Sequence, residues 1–148
     1  MASLIKYTPA FKQEVLEIFD SNVPEFFEPF EREPFEDFLS KELNSYFILS
    51  QSDETIGAGG YWKETESEAR ICWLMIHADY HTKGFGAFMM NSFEELIKTE
   101  KNYTKITLKT AQKTDMFYEK LGYTTTYFEK DHWAKGLHLY LMEKSISS

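Results

Sequence analysis

The stretch Ile76–Met90, IHADYHTKGFGAFMM, decides how the rest of the chain is read. It closes an apolar run, crosses a polar segment, sets Gly84 and Gly86 one residue apart, and enters an apolar series at helical spacing. A strand that turns into a helix leaves the first helical N–H groups without intrahelical partners. Residues without a Cβ let an anion come close to those groups. Taken alone, the turn supports two readings: a diphosphate site, or a tight strand-to-helix connection held by its glycines. A P-loop is excluded, because it needs a lysine and a Ser/Thr directly after its last glycine, whereas Lys83 precedes the glycines. A dinucleotide fingerprint needs a third glycine where Met89 stands.

Working outward, Leu4–Tyr7 reads as a short strand, and Thr8-Pro9 opens a helix with Phe11, Val15, Ile18 and Phe19 on one face. Prolines interrupt the following SNVPEFFEPFEREP, and Pro34 falls in the first turn of a second helix, Phe35–Leu43. SYFILS, TIGAGGYW and EARICWLMI read as three strands. After the glycine turn come a helix from Phe85 to about Lys98, the strand KITLKT, and a shorter helix TDMFYEKL that stops at Gly122, a left-handed cap. YTTTYFE and LHLYLMEK end the series as strands. The order βααβββαβαββ predicts an α/β chain of the α+β type: about four helices on a mixed, mostly antiparallel sheet of about six to seven strands.

A chain of 148 residues, 43% hydrophobic and 17% aromatic, suits one compact domain spanning 1–148. A formal net charge of -8 disfavours a nucleic-acid groove and suits a cationic small molecule. Cys72 is the only cysteine, which removes disulfides and cysteine-based zinc sites, and no metal is expected. No window has the apolar length of a membrane span, so the expectation is a soluble, cytoplasmic protein with no membrane partner.

IHADYHTKGFGAF resembles the acetyl-coenzyme A signature of the GCN5-related N-acetyltransferases (GNAT), in which Val-x-Pro leads into Arg/Gln-x-x-Gly-x-Gly/Ala. Ile76 takes the valine place, Ala78 the proline place, and His81 to Gly86 the six-residue core. FYEKLGY, Phe117–Tyr123, is a close copy of the family's Phe-Tyr-x-x-Leu-Gly-Phe, one helix and one strand further on. Together with the element order, the resemblance covers nearly the whole chain and is most specific in its C-terminal two-thirds.

The resemblance implies an N-acetyltransferase of the GNAT fold, with acetyl-CoA as co-substrate and direct attack by a primary amine of a small molecule or protein. It implies cofactor contacts at Ile76, His81, Thr82, Lys83, Gly84, Phe85, Gly86 and Ala87, a slot between EARICWLMI and KITLKT for the pantetheine arm, an oxyanion-type amide at Leu74, and Tyr118 as general acid. His81 stands where Arg or Gln is usual. Ala111 replaces a frequent asparagine, with Gln112 beside it as a substitute contact. A glutamate base used by some members falls on Arg70, which stays protonated. The acceptor would meet the loop between the first two helices, with Glu25, Phe26, Phe27 and Glu28 receiving a cation. Trp73 and His138 are further candidates, as are Tyr61 and Trp133. The chain would act as a monomer or homodimer. A second class of function stays open: a non-catalytic acyl-CoA-binding or sensor module on the same fold.

Overall fold

A computed structural model describes residues 1–100 and 102–146. Its elements are β1 (Ala2–Lys6), α1 (Lys12–Ser21), α2 (Arg32–Leu39), β2 (Tyr46–Gln51), β3 (Glu54–Thr65), β4 (Glu68–Ile76), α3 (Phe85–Thr99), β5 (Lys105–Thr110), α4 (Asp115–Lys120), β6 (Thr124–Ala134) and β7 (Leu137–Ser145). Short 3-10 turns at Pro9–Phe11, Pro29–Glu31 and Ala78–Tyr80 lead into the chain's bends. The strands form a seven-stranded sheet in the order β1-β2-β3-β4-β5-β7-β6. β1 with β2, β2 with β3, β5 with β7 and β6 with β7 run antiparallel, whereas β4 runs parallel to β5 through Glu68–Arg70 opposite Lys105–Thr107. The fold is therefore the mixed, mostly antiparallel α+β arrangement expected from the sequence. No helix among the described residues is long and apolar enough to cross a membrane.

The chain divides into two compact units, Met1–Tyr61 with Cys72–Phe93, and Trp62–Ile71 with Glu94–Ser148. In the first, Val15, Ile18 and Phe19 recur at helical spacing, so α1 turns one apolar face inward. That face meets Phe35, Phe38 and Leu39 of α2 and Tyr46 and Ile48 of β2. The ring of Phe19 stacks on Phe35 at 5.5 Å, and Phe35 lies 4.9 Å from Trp73. In the second unit Ile106, Leu108, Leu139 and Met142 supply the sheet's buried side chains. Glu94 is buried there and fully engaged: it accepts from Lys144 Nζ at 3.0 Å and from Tyr123 Oη at 3.0 Å. Lys144 Nζ also donates to the Leu121 carbonyl at 2.8 Å, which places a cation at the C-terminal end of α4.

Several expected boundaries move: β1 is Ala2–Lys6 where Leu4–Tyr7 is expected, β3 runs on past Trp62 to Thr65, and α2 and β6 shift as well. α2 begins at Arg32 and ends at Leu39, not Phe35–Leu43, because the 3-10 turn Pro29–Glu31 starts the winding early. The Glu28 N–H donates to the Glu31 carboxylate at 2.8 Å at that entrance. Ser40 Oγ closes the far end by donating to the Asp37 carbonyl at 2.7 Å. β6 runs on past Glu129 to Ala134, because it keeps pairing with β7 across a register shift between those two residues. Gly122 adopts the expected left-handed backbone, φ +99°, and caps α4 by donating to the Glu119 carbonyl at 3.0 Å.

Candidate functional site

The glycine turn is fastened before it begins. At the end of α1, Asn22 Nδ2 donates to the carbonyls of Ile18 at 2.9 Å and Ile76 at 3.0 Å. Ser21 Oγ donates to the Ile18 carbonyl at 2.7 Å and accepts from the Ala78 N–H at 3.0 Å. His77, between those anchor points, donates its N–H to the Ile56 carbonyl at 2.8 Å and caps the 3-10 turn by accepting from the Asp79 N–H at 3.1 Å. His81 Nε2 closes the turn on itself through the Ile76 carbonyl at 2.8 Å. Since that partner is an acceptor, this nitrogen carries the hydrogen.

Beyond His81 the backbone enters the left-handed region twice, at Thr82 (φ +61°) and Gly84 (φ +85°), before α3 starts at Phe85. The Phe88 N–H donates to the Gly84 carbonyl at 3.0 Å, so the N–H groups of Phe85, Gly86 and Ala87 lie ahead of any intrahelical acceptor. A Cβ at Gly84 would meet nothing within 4 Å. Lys83 is exposed beside it. Amides at a helix start, open space at the adjacent Gly84 and a neighbouring cation fit a diphosphate.

A second irregularity lies in β4. Trp73 is left-handed, φ +43°, although it is not glycine. Its carbonyl accepts from the buried Tyr46 Oη at 2.7 Å. A trans peptide points its C=O and N–H in opposite directions, so the Leu74 N–H is aimed away from Tyr46.

The other residues expected in this unit separate into two groups. Phe26 is exposed and meets His81 edge-on at 5.1 Å, which places it beside the glycine turn. Phe27 instead stacks on Phe19 at 4.8 Å, and Trp73 packs against Phe27, Phe35 and Phe38. Those rings anchor the loop and β4 to the core. Glu25 is exposed and Glu28 half-buried. Tyr61 is buried against Phe93 at 6.2 Å. The Ile76 carbonyl accepts from both Asn22 and His81.

In the second unit, Tyr118 is buried on α4 with its ring edge-on to Phe117 at 4.9 Å and to Tyr123 at 6.1 Å. Burial pushes its phenol well above the ordinary tyrosine value, so the hydroxyl holds its proton across the physiological range. Gln112, the substitute contact beside Ala111, bonds the β6–β7 hairpin: its Nε2 donates to the Gly136 carbonyl at 2.5 Å and its Oε1 accepts from the His138 N–H at 3.0 Å. His138 serves the same hairpin, its Nδ1 accepting from the Asp131 N–H at 3.0 Å. Trp133 lies near the end of β6, edge-on to His132 at 4.8 Å. Arg70 donates to Thr107 Oγ1 at 2.8 Å and to the Glu68 carboxylate at 3.2 Å. Burial pushes Glu68 upward, but hydrogen bonds from Thr107 and Arg70 outweigh it and hold the carboxyl below its ordinary value.

The chain matches the family model for the acetyltransferase (GNAT) domain over residues 8–146. An uncharacterized acetyltransferase in the arcA 3′ region of Streptococcus pyogenes is 30% identical over 95 residues, 62% of this chain and 64% of that protein. The match thus spans a little under two thirds of that relative's length. The crystal structure of Ard1 from Thermoplasma volcanium superposes with a TM-score of 0.83 at 18% identity, over 99% of both chains. An aminoglycoside 6′-N-acetyltransferase complexed with coenzyme A gives 0.77 at 15% identity, over 99% of this chain and 98% of that one. At such identities the likeness is one of fold. The chain belongs to the GNAT acetyltransferase family.

Sequence reasoning missed Ser21 and Asn22. A Ser-Asn pair just ahead of Val-Pro signals a helix end with local side-chain bonding. Nothing local signals a bond to a carbonyl 54 residues away.

Proposed function

We propose that the protein is an acetyl-CoA-dependent N-acetyltransferase that acylates a primary amine, of a small molecule or of a protein, by direct attack. The observation that carries this reading is the glycine turn, with its open space at Gly84 and its helical amides at Phe85, Gly86 and Ala87. The solved relative complexed with coenzyme A shares the fold and supports the same reading.

When bound, acetyl-CoA supplies an activated acetyl group. The amides of the turn hold the diphosphate, with Lys83 adding charge and Thr82 and His81 shaping the approach. The Leu74 N–H stabilises negative charge on the carbonyl oxygen under attack. Tyr118 Oη is protonated and donates that proton to the sulfur as it departs. Phe26, exposed beside the turn, and Glu25 suit a cationic acceptor. Arg70 is tied to Glu68 and Thr107 and does not serve as the base for the incoming amine.

That last observation also favours the second reading, an acyl-CoA-binding module without catalysis. One experiment separates them. Calorimetry with CoA measures binding, and release of free thiol from acetyl-CoA is followed against a panel of polyamines, aminoglycosides, amino acids and peptide N-termini. Binding with acetylated product supports the enzyme, binding with no turnover on any amine supports the module, and no binding at millimolar CoA overturns both.

A further inference from the structure

We infer that Asn22 is the positioning residue of the diphosphate turn, an inference that rests on the reading of that turn given above. Asn22 is buried, and its amide hydrogens go to two carbonyls of different elements, Ile18 in α1 and Ile76 at the end of β4. Both partners are acceptors, which fixes the orientation of the side-chain amide. The backbone carbonyl of Asn22 accepts from the N–H groups of Phe26 at 2.8 Å and Phe27 at 3.0 Å. One residue therefore fastens the last turn of α1, the exit of β4 and the start of the loop that carries Phe26.

The turn depends on this fastening. The Ile76 carbonyl is held from one side by Asn22 and from the other by His81. Ser21, next in the chain, holds the Ala78 N–H. The residues between these anchors and α3 contain the two left-handed positions, Thr82 and Gly84, that aim the amides. A segment with such a backbone keeps one conformation only when its surroundings over-determine it. Without the Asn22 bond, the carbonyl of Ile76 keeps a single donor and the turn gains freedom that a bound diphosphate must then remove.

The test measures affinity, so it needs no acceptor. Wild type, Asn22→Ala and the milder Ser21→Ala are titrated with CoA, with inorganic pyrophosphate and with S-acetylpantetheine, which lacks the diphosphate. Circular dichroism and melting temperature establish that each variant is folded. The expected result is a loss of about tenfold for CoA and for pyrophosphate in Asn22→Ala, and about threefold in Ser21→Ala, with S-acetylpantetheine unchanged. Should Asn22→Ala fail to fold, the split in Ser21→Ala decides alone. Unchanged CoA affinity in the folded variants overturns the inference, as does an equal loss for S-acetylpantetheine, which marks a general loosening. Wild-type protein that binds no CoA overturns the reading of the turn itself.

Discussion

Gly84 and Gly136 form a matched pair for testing the turn. Both have a left-handed backbone, φ +85° and +81°, and at neither would a Cβ meet an atom within 4 Å. Alanine at either position therefore carries a backbone cost and no clash. That cost is about 1–2 kcal/mol for an L-residue held left-handed, or about 2–8 °C in melting temperature for a chain of this size. The two variants should lose similar stability, because the hydrogen bonds of Gly136 with Asp131 and Gln112 involve only its backbone and survive the change. Ligand binding should part them. Gly84 directly precedes α3, so on the proposed reading the new methyl crowds the diphosphate, and keeping phosphate oxygens even slightly beyond hydrogen-bond range removes charge-assisted bonds worth about 1.5–3 kcal/mol each. Losing one such bond corresponds to at least about tenfold in affinity. Differential scanning calorimetry measures the first effect and titration with CoA the second. If Gly84→Ala binds CoA as wild type does while both variants melt alike, the open space at Gly84 is not where the diphosphate sits.

Five further outcomes are expected. Tyr118→Phe keeps the ring and should leave CoA affinity unchanged, while slowing single-turnover acetyl transfer about 100-fold to 10,000-fold; an unchanged rate removes Tyr118 from the chemistry. Gly86→Glu should abolish CoA binding in a folded protein by placing like charge among the amides, whereas Lys83→Ala should weaken it only a few-fold by titration. Lys144→Met leaves Glu94 buried without its cation and should cost about 3 kcal/mol by urea denaturation, an expectation refuted by a wild-type midpoint. Glu68 has a depressed folded value, so its bonds to Arg70 and Thr107 stabilise the protein fully above the ordinary glutamate value and are lost as pH falls through the folded one. Glu68→Gln should therefore lower stability at pH 7, by a difference that shrinks as the pH falls below the ordinary glutamate value.

What the sequence reveals follows from whether the cause of a feature is local. β4 and β5 are bounded as expected, at Glu68–Ile76 and Lys105–Thr110, because the first is a largely apolar run and the second alternates apolar with polar residues. The glycine turn is legible for a similar reason: a left-handed backbone at Gly84 selects a residue without a Cβ. The far end of β6 is not legible. Its last residues are largely exposed, and only the shifted pairing with β7 extends the strand to Ala134. Gln112 shows the same limit at the site, since its position beside Ala111 does not reveal its partners in a hairpin some two dozen residues further on.

Trp73 is the case in which local preference points the wrong way. A bulky aromatic within a strand predicts extended backbone, yet it is left-handed, a conformation that costs about 1–2 kcal/mol for such a residue. Tertiary contacts outweigh the cost: the ring is packed against Phe27, Phe35 and Phe38, and its carbonyl is held by Tyr46 Oη. The strain is placed one peptide before Leu74, so the same contacts that force Trp73 out of strand geometry also turn the Leu74 N–H away from Tyr46. In the proposed function this is the amide that would meet a developing oxyanion, and an amide held by its surroundings before a ligand arrives needs no reorganisation to do so. The family signature assigns Leu74 its role from its place in the chain. The aromatic cluster of the first unit supplies a physical reason why an amide at that place differs from its neighbours along β4.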